Sequence, residues 1–189
     1  MTADPGPVDG DSGTPWLGRA QQAVWRELLA VQSRLSDRLD GELRAATGLC
    51  LADYDVLVVL AEAVEGALRM RELAARVMLS PSGLTRRVDR LVGRGLVTRR
   101  GCPSDGRGAM AALTPAGRRL LAEAAPVHVA GVRRYLLDPI GGPALDGLAT
   151  GLGAIRAALD ADQPGSAPLT VGRPLWAQPL VPPATESAG

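Results

Sequence analysis

The stretch from Ser80 to Leu113 constrains the fold more than any other part of this chain. Ser80 stands directly before Pro81, a side-chain cap followed by a proline at the first helical position, where its missing N–H costs nothing. Leu84, Val88, Leu91 and Val92 then fall at i, i+4, i+7 and i+8, the spacing of a single helical face. Gly95 stops that helix after Arg94. Residues 96 to 101 and 109 to 113 read as short strands on either side of the loop "GCPSDGRG", which is built from turn formers. A capped helix that runs at once into a β-hairpin leaves few architectures open.

The rest of the sequence favours helices. Hydrophobic residues make up 46% of it, yet it has no Phe, three Trp and two Tyr, so its core must be aliphatic. Ala and Leu prefer helix to strand. Thr14 and Pro15 repeat the cap-and-proline start. Leu17, Ala20, Val24, Leu28, Val31, Leu35 and Leu39 then form one stripe of a long helix expected to reach about Ala46. Such a helix, about 45 Å at 1.5 Å per residue, outreaches a small domain's core and suits packing on another subunit. Gly48 ends it. A second helix is expected over about residues 52 to 64, apolar at Val56, Leu57, Val59 and Leu60, with Asp53 and Asp55 in its dipole-favoured first turn. A short helix over residues 70 to 77 precedes the capped one. Thr114 and Pro115 open another, expected to be interrupted or kinked at Pro126 and to end near Asp138, and a last helix covers about residues 143 to 160. Residues 1 to 13 and 161 to 189 are expected to be disordered tails, the second rich in Pro. No internal repeat is visible.

Charge singles out the middle of the chain. All 21 basic residues are Arg. Residues 69 to 119 hold twelve of them against Glu72, Asp89 and Asp105, while the remainder has nine Arg against seventeen acids. A cationic block inside a nearly neutral chain is an electrostatic footprint for a polyanion. Catalysis finds no support. One His, two distant Cys and scattered acids offer no metal cluster and no nucleophile–base pair, and neither a Walker loop nor a G-x-G-x-x-G turn occurs. The chain reads as a non-enzyme without a cofactor. It has no run of about 18 apolar residues and no basic start leading into an apolar segment. The expectation is a cytoplasmic protein with reduced thiols and no membrane partner.

Taken as a helix, residues 81 to 94 oppose their apolar face with Ser82, Arg86 and Arg90, flanked by Gly83, Arg87 and Asp89. A short helix, a three-residue turn and this helix match the helix-turn-helix plan, in which the second helix enters the major groove and its N-terminal residues reach base edges. Arg bonds two acceptors of guanine, and Ser and Thr bond bases or phosphates. The hairpin that follows makes the unit a winged helix. Gly106 and Gly108 keep the wing tip thin enough for a minor groove only about 6 Å wide, where Arg107 meets the negative potential of narrow A·T tracts. Asp105 is placed to hold that guanidinium through a charge-assisted pair. The expected class is mainly α with a small β-hairpin wing. A winged helix-turn-helix DNA-binding domain spans residues 48 to 114, and residues 14 to 47 and 115 to 160 form a helical dimerisation region.

The run "LSPSGLTRRVDRLVGRGLVTRRGCPSDGRGAMAALTPAG", residues 79 to 117, resembles the winged-helix core of the multiple-antibiotic-resistance regulator (MarR) family. "GLCLADYDVLVVL", residues 48 to 60, resembles the segment that precedes it there, and the D-x-R wing followed by "ALTPAG" is the most specific piece. The resemblance covers roughly residues 16 to 160. It implies a homodimer with intertwined first and last helices, presenting two recognition helices and two wings to a pseudo-palindromic operator in double-stranded DNA. By that similarity Ser82, Thr85 and Arg86 contact bases, Arg107 enters the minor groove and Asp105 orients it. The wider recognition-helix set is Ser82, Gly83, Thr85, Arg86, Arg87 and Arg90. The family also implies a repressor released by a small, often phenolic ligand between the dimer region and the winged helix, with Trp25, Tyr54 and His128 as candidate contacts. Two residues depart from the family's pattern. Cys50 stands where Thr or Ser commonly caps the next helix, and Cys102 where an acid is frequent at the base of the wing. A thiol at a helix N-terminus favours its thiolate, which keeps a redox-sensing regulator using Cys50 open as an alternative. A protein-binding winged helix is a further one, disfavoured by Arg86, Arg90 and Arg107.

Overall fold

The computed structural model describes residues 15–77, 79–102 and 105–161, with the backbone alone for residues 102 and 105–108. Among them are six α-helices: α1 (Arg19–Thr47), α2 (Leu51–Glu62), α3 (Met70–Arg76), α4 (Pro81–Gly93), α5 (Pro115–Val132) and α6 (Gly142–Ala161). Three strands, β1 (Ala67–Arg69), β2 (Val97–Cys102) and β3 (Asp105–Leu113), form one antiparallel sheet in the order β1-β3-β2. Helices α3 and α4 followed by the β2–β3 hairpin make a winged helix. The class is mainly α with a small sheet, as the punctuation between Ser80 and Leu113 requires.

The chain falls into two units, residues 1–34 and 35–189. In the first, α1 begins at Arg19 instead of the expected Thr14-Pro15 start, and Thr14 lies outside the described residues. Gly18 takes the capping position. Its carbonyl accepts from the Gln22 N–H at 2.9 Å, and its own N–H donates to the Gln21 side chain at 2.9 Å, half of a capping box. The apolar stripe is present, and Trp16, Leu17, Val24, Trp25, Leu28 and Val31 are exposed in the single chain.

The second unit holds an aliphatic core. Leu43 and Leu49 meet Leu57 and Leu60 of α2, Leu73 of α3, Leu84, Val88 and Leu91 of α4, Val97 of β2 and Ala111 of β3, all buried. Each such leucine contributes roughly 2 kcal/mol. Gly48 and Gly95, at φ of 68° and 69°, close α1 and α4. Cys50 occupies the N-cap of α2 without a side-chain cap bond. The open Leu51 N–H donates instead to Asp40 Oδ1 of α1 at 2.8 Å. The Arg44 side chain, and after it this N–H, hold the Asp40 carboxyl below its ordinary range.

Thr114 caps α5 and explains the "ALTPAG" run physically. Its Oγ1 accepts the Gly117 N–H at 2.9 Å and donates to the Gly95 carbonyl at 2.8 Å. A Cβ at position 117 would lie 2.2 Å from the Leu96 carbonyl oxygen. Only glycine lets α5 start this close to the turn between α4 and β2, and that contact fixes the base of the wing.

Several expectations need correction. The sequence reading has no strand at 67–69. Three residues are too few to show alternation, and β1 exists because Ala67, Leu68 and Arg69 pair with Ala112, Ala111 and Met110. Strand β3 starts at Asp105 instead of 109, since the ladder continues past a register shift to Cys102 opposite Asp105. Helix α5 runs uninterrupted through Pro126. A proline removes one hydrogen bond, and buried Leu121 and Ala124 anchor the preceding turn. The irregularity comes later: Arg133–Leu137 widens into a π-helix, with the Asp138 N–H bonded to the Arg133 carbonyl at 2.8 Å. Val92 is exposed, because it lies 100° around the helix from Leu91, which takes the core side. The expected tails, residues 1 to 13 and 162 to 189, lie outside the described residues, and residue 161 ends α6.

Candidate nucleic-acid interface

Ser80 Oγ accepts the Gly83 N–H at 3.2 Å, and Pro81 follows it, so α4 begins where the sequence places it. Leu84, Val88 and Leu91 face the core, while Ser82, Thr85, Arg86 and Arg90 are exposed and Gly83 is half-buried. Thr85 Oγ1 donates to the Pro81 carbonyl at 2.9 Å, which leaves the hydroxyl able only to accept from a ligand. Among the described residues nothing pairs with Arg86. The first two turns of α4 therefore offer a cation and hydroxyls to solvent.

Arg87, expected to flank that exposed side, turns inward. Its Nη1 donates to Asp53 Oδ1 at 2.8 Å and to Cys50 Sγ at 3.1 Å. The side chains of Arg87 and Asp53 are only 20% and 4% exposed. Burial opposes the guanidinium charge, yet the bonds and charges of Asp53 and Cys50 outweigh it and raise the Arg87 pKa. Arg90 Nη2 stands 3.7 Å from the same Asp53 oxygen, its side chain 55% exposed. The sequence reading took Asp53 for a dipole charge and missed this cluster. The signal was present: Asp53, Leu57 and Leu60 share one helical face, and a carboxylate among core positions requires a cation from a neighbouring element.

A second link joins α4 to the wing. Arg99 of β2 pairs with Asp89 of α4 at 2.9 Å and donates to the Thr85 carbonyl at 3.4 Å. The backbone of Asp105 and Arg107 belongs to β3, but their side chains, like that of Cys102, lie outside the described residues.

Of the candidate ligand contacts, Tyr54 and His128 come together. Their rings stack with centroids 4.6 Å apart and 27° between planes. Burial pushes the Tyr54 hydroxyl up to about 12 and the His128 imidazole below its ordinary value. His128 Nδ1 is buried without a hydrogen-bond partner among the described residues. Trp25 belongs to the first unit and is exposed there. Cys50 is buried, its sulfur taken up by Arg87. Among the described residues no group of three or more His, Cys, Asp and Glu is arranged to hold a metal ion, and no helix is long and apolar enough to cross a membrane.

The sequence pattern of the MarR family matches residues 47–108. No curated protein matches the chain. Among solved structures, Sco3205, a MarR family transcriptional regulator from Streptomyces coelicolor in complex with DNA, is 36% identical, with a TM-score of 0.73 over 79% of this chain and 96% of that one. AbsC, a MarR family regulator from the same organism, is also 36% identical, with a TM-score of 0.74 over 78% and 99% of the two chains. CouR from Rhodococcus jostii RHA1, bound to p-coumaroyl-CoA, is 32% identical, with a TM-score of 0.61 over 70% and 90%. A helix-turn-helix with an exposed cationic reading face, a hairpin wing and these likenesses lead to one assignment: the chain belongs to the MarR family of transcriptional regulators and carries its DNA-binding winged helix.

Proposed function

We propose that the chain acts as a homodimeric repressor that reads a pseudo-palindromic operator through α4 and the wing. The division of α4 carries this reading: its apolar side lies in the core, and Ser82, Thr85, Arg86 and Arg90 lie in solvent. In the major groove Arg86 donates twice to a guanine, Ser82, Gly83 and Thr85 meet base edges or phosphates, and Arg90 neutralises a phosphate. Arg107 enters the minor groove with Asp105 as its partner. Likeness to the DNA-bound Streptomyces coelicolor regulator supports this arrangement. In this division of labour, residues 48 to 114 serve DNA and residues 14 to 47 and 115 to 160 serve the dimer, in the cytoplasm. The exposed apolar stripe of α1, and Leu152, Ile155 and Leu159 of α6, supply dimer surface.

Two symmetric helices must meet half-sites about 34 Å apart, so a ligand that changes their spacing releases the DNA. We assign that ligand, a small aromatic compound, to the stacked Tyr54 and His128, with Trp25 as a further contact. An orphaned imidazole nitrogen beside an aromatic face suits a hydroxyl-bearing ring. CouR, solved with p-coumaroyl-CoA, supports a small-molecule effector.

Footprinting on the DNA upstream of the protein's own gene tests the reading. A symmetric protected site is expected, cleared by the effector among a set of phenolic compounds. Arg86→Ala is expected to relax base preference at one symmetric pair of positions. Absence of any protected sequence would end the reading, and equal loss on all sequences would make Arg86 a phosphate contact.

A further inference from the structure

A buried carboxylate shared by two arginines of the recognition helix is a costly construction. Desolvating Asp53 and Arg87 is repaid only by good geometry, and an apolar pair of similar size would fill the same space without that cost. What an apolar pair lacks is direction. Arg87 Nη1 is held at once by Asp53 Oδ1, 2.8 Å away in α2, and by Cys50 Sγ, 3.1 Å away at the N-cap of α2. The next residue, Leu51, is tied through its N–H to Asp40 of α1 at 2.8 Å. The first turn of α2 is thereby fixed to α1 on one side and to the middle of α4 on the other. Rotation of α4 about its axis would break the Arg87 bonds, whereas the smooth faces of Leu84, Val88 and Leu91 resist rotation weakly. Arg86, the next residue along the chain, is exposed. At 100° per residue, the direction in which Arg86 points is set by where Arg87 is held.

We propose that Arg87 is a positioning residue for operator recognition: anchored to Asp53 and Cys50, it sets the rotation of α4, and hence the aim of Arg86 and Ser82, without touching DNA. The inference rests on α4 being the base-reading helix. It extends to Asp53, which also limits how far Arg90 swings towards a phosphate, since the two groups lie 3.7 Å apart.

The test compares affinity for operator and for random duplex, each over a range of salt, in the full-length protein. The variants are the double substitution Asp53→Leu with Arg87→Met, and Arg86→Ala. The double variant removes both charges together and keeps the volume, so it is expected to fold with a melting temperature near or above the parent's. Its operator affinity is expected to fall about tenfold or more, the scale of one misaligned base contact per half-site. Its affinity for random duplex and its salt slope stay at the parent's values. Operator affinity equal to the parent's would overturn the positioning role. A slope shallower by about 0.9 would overturn it too, because Arg87 would then be a phosphate contact. Should the double variant unfold, Arg87→Lys keeps the cation beside Asp53. A smaller but equally operator-selective loss is expected of it, and unchanged operator affinity, or equal loss on random DNA, would overturn the proposal. If Arg86→Ala leaves operator binding untouched, it is the base-reading assignment of α4 that fails.

Discussion

Asp53 of α2 and Arg87 of α4 meet at 2.8 Å with the carboxylate side chain 4% exposed, so the recognition helix is bonded to the domain core by charge as well as packed against it. Removing one partner leaves the other buried and uncompensated. We predict that Asp53→Ala costs about 3 kcal/mol, at the lower edge of what broken buried pairs cost because Arg87 keeps some access to water. Urea unfolding followed by circular dichroism measures it, and a cost under about 1 kcal/mol would mean that the pair contributes little.

Gly117 lies against the Leu96 carbonyl, where a Cβ would come within 2.2 Å of the oxygen and 2.7 Å of the Leu113 side chain. Backbone cannot give way as a flexible side chain does. Gly117→Ala is expected to cost about 3 kcal/mol by overpacking and to loosen the base of the wing. Faster amide exchange in β2 and β3 than in α2 is the accompanying signature.

His128 supplies a pH dependence. Burial disfavours its charged form, so its folded pKa lies below the ordinary value, and the unfolded chain takes up the proton first. Its contribution to stability is complete above about pH 6.5 and is lost as pH falls through the folded pKa. His128→Phe keeps a ring against Tyr54 and removes the orphaned nitrogen. The variant is expected to lose less stability than the parent between pH 8 and pH 5, measured by urea unfolding. An unchanged pH profile would place the titration elsewhere.

Val24 and Leu28 are exposed one helical turn apart in the first unit. Val24→Glu with Leu28→Glu is expected to give a folded monomer in sedimentation experiments. Operator affinity falls with it by about a hundredfold or more, because the second half-site is no longer bound from the same molecule. A dimer that survives both charges would move the interface away from this stripe.

The sequence was most legible where a local rule carries the structure. Ser80-Pro81 and Thr114-Pro115 each cap the helix they announce, and Gly48 and Gly95 end theirs, since these depend on neighbours within four residues. Pairings between distant segments were less visible. Strand β1 exists through its ladder with β3, some forty residues later. Leu51 is served by Asp40, and Asp53 by Arg87, contacts that no local pattern names. Of the candidate site, the exposed Ser82, Thr85, Arg86 and Arg90 follow from helical periodicity, which separates them from the apolar face. Arg87 does not, because at the border of the two faces its long side chain can go either way, and a buried carboxylate decided it.

Selection of bound sequences from a random duplex pool by the purified protein at near-physiological salt tests the central claim most directly. The account predicts enrichment of an inverted repeat with half-site centres about one helical turn, 10 base pairs, apart, and loss of one symmetric position with Arg86→Ala. A pool that emerges without a shared sequence, or with an unpaired half-site alone, would contradict it.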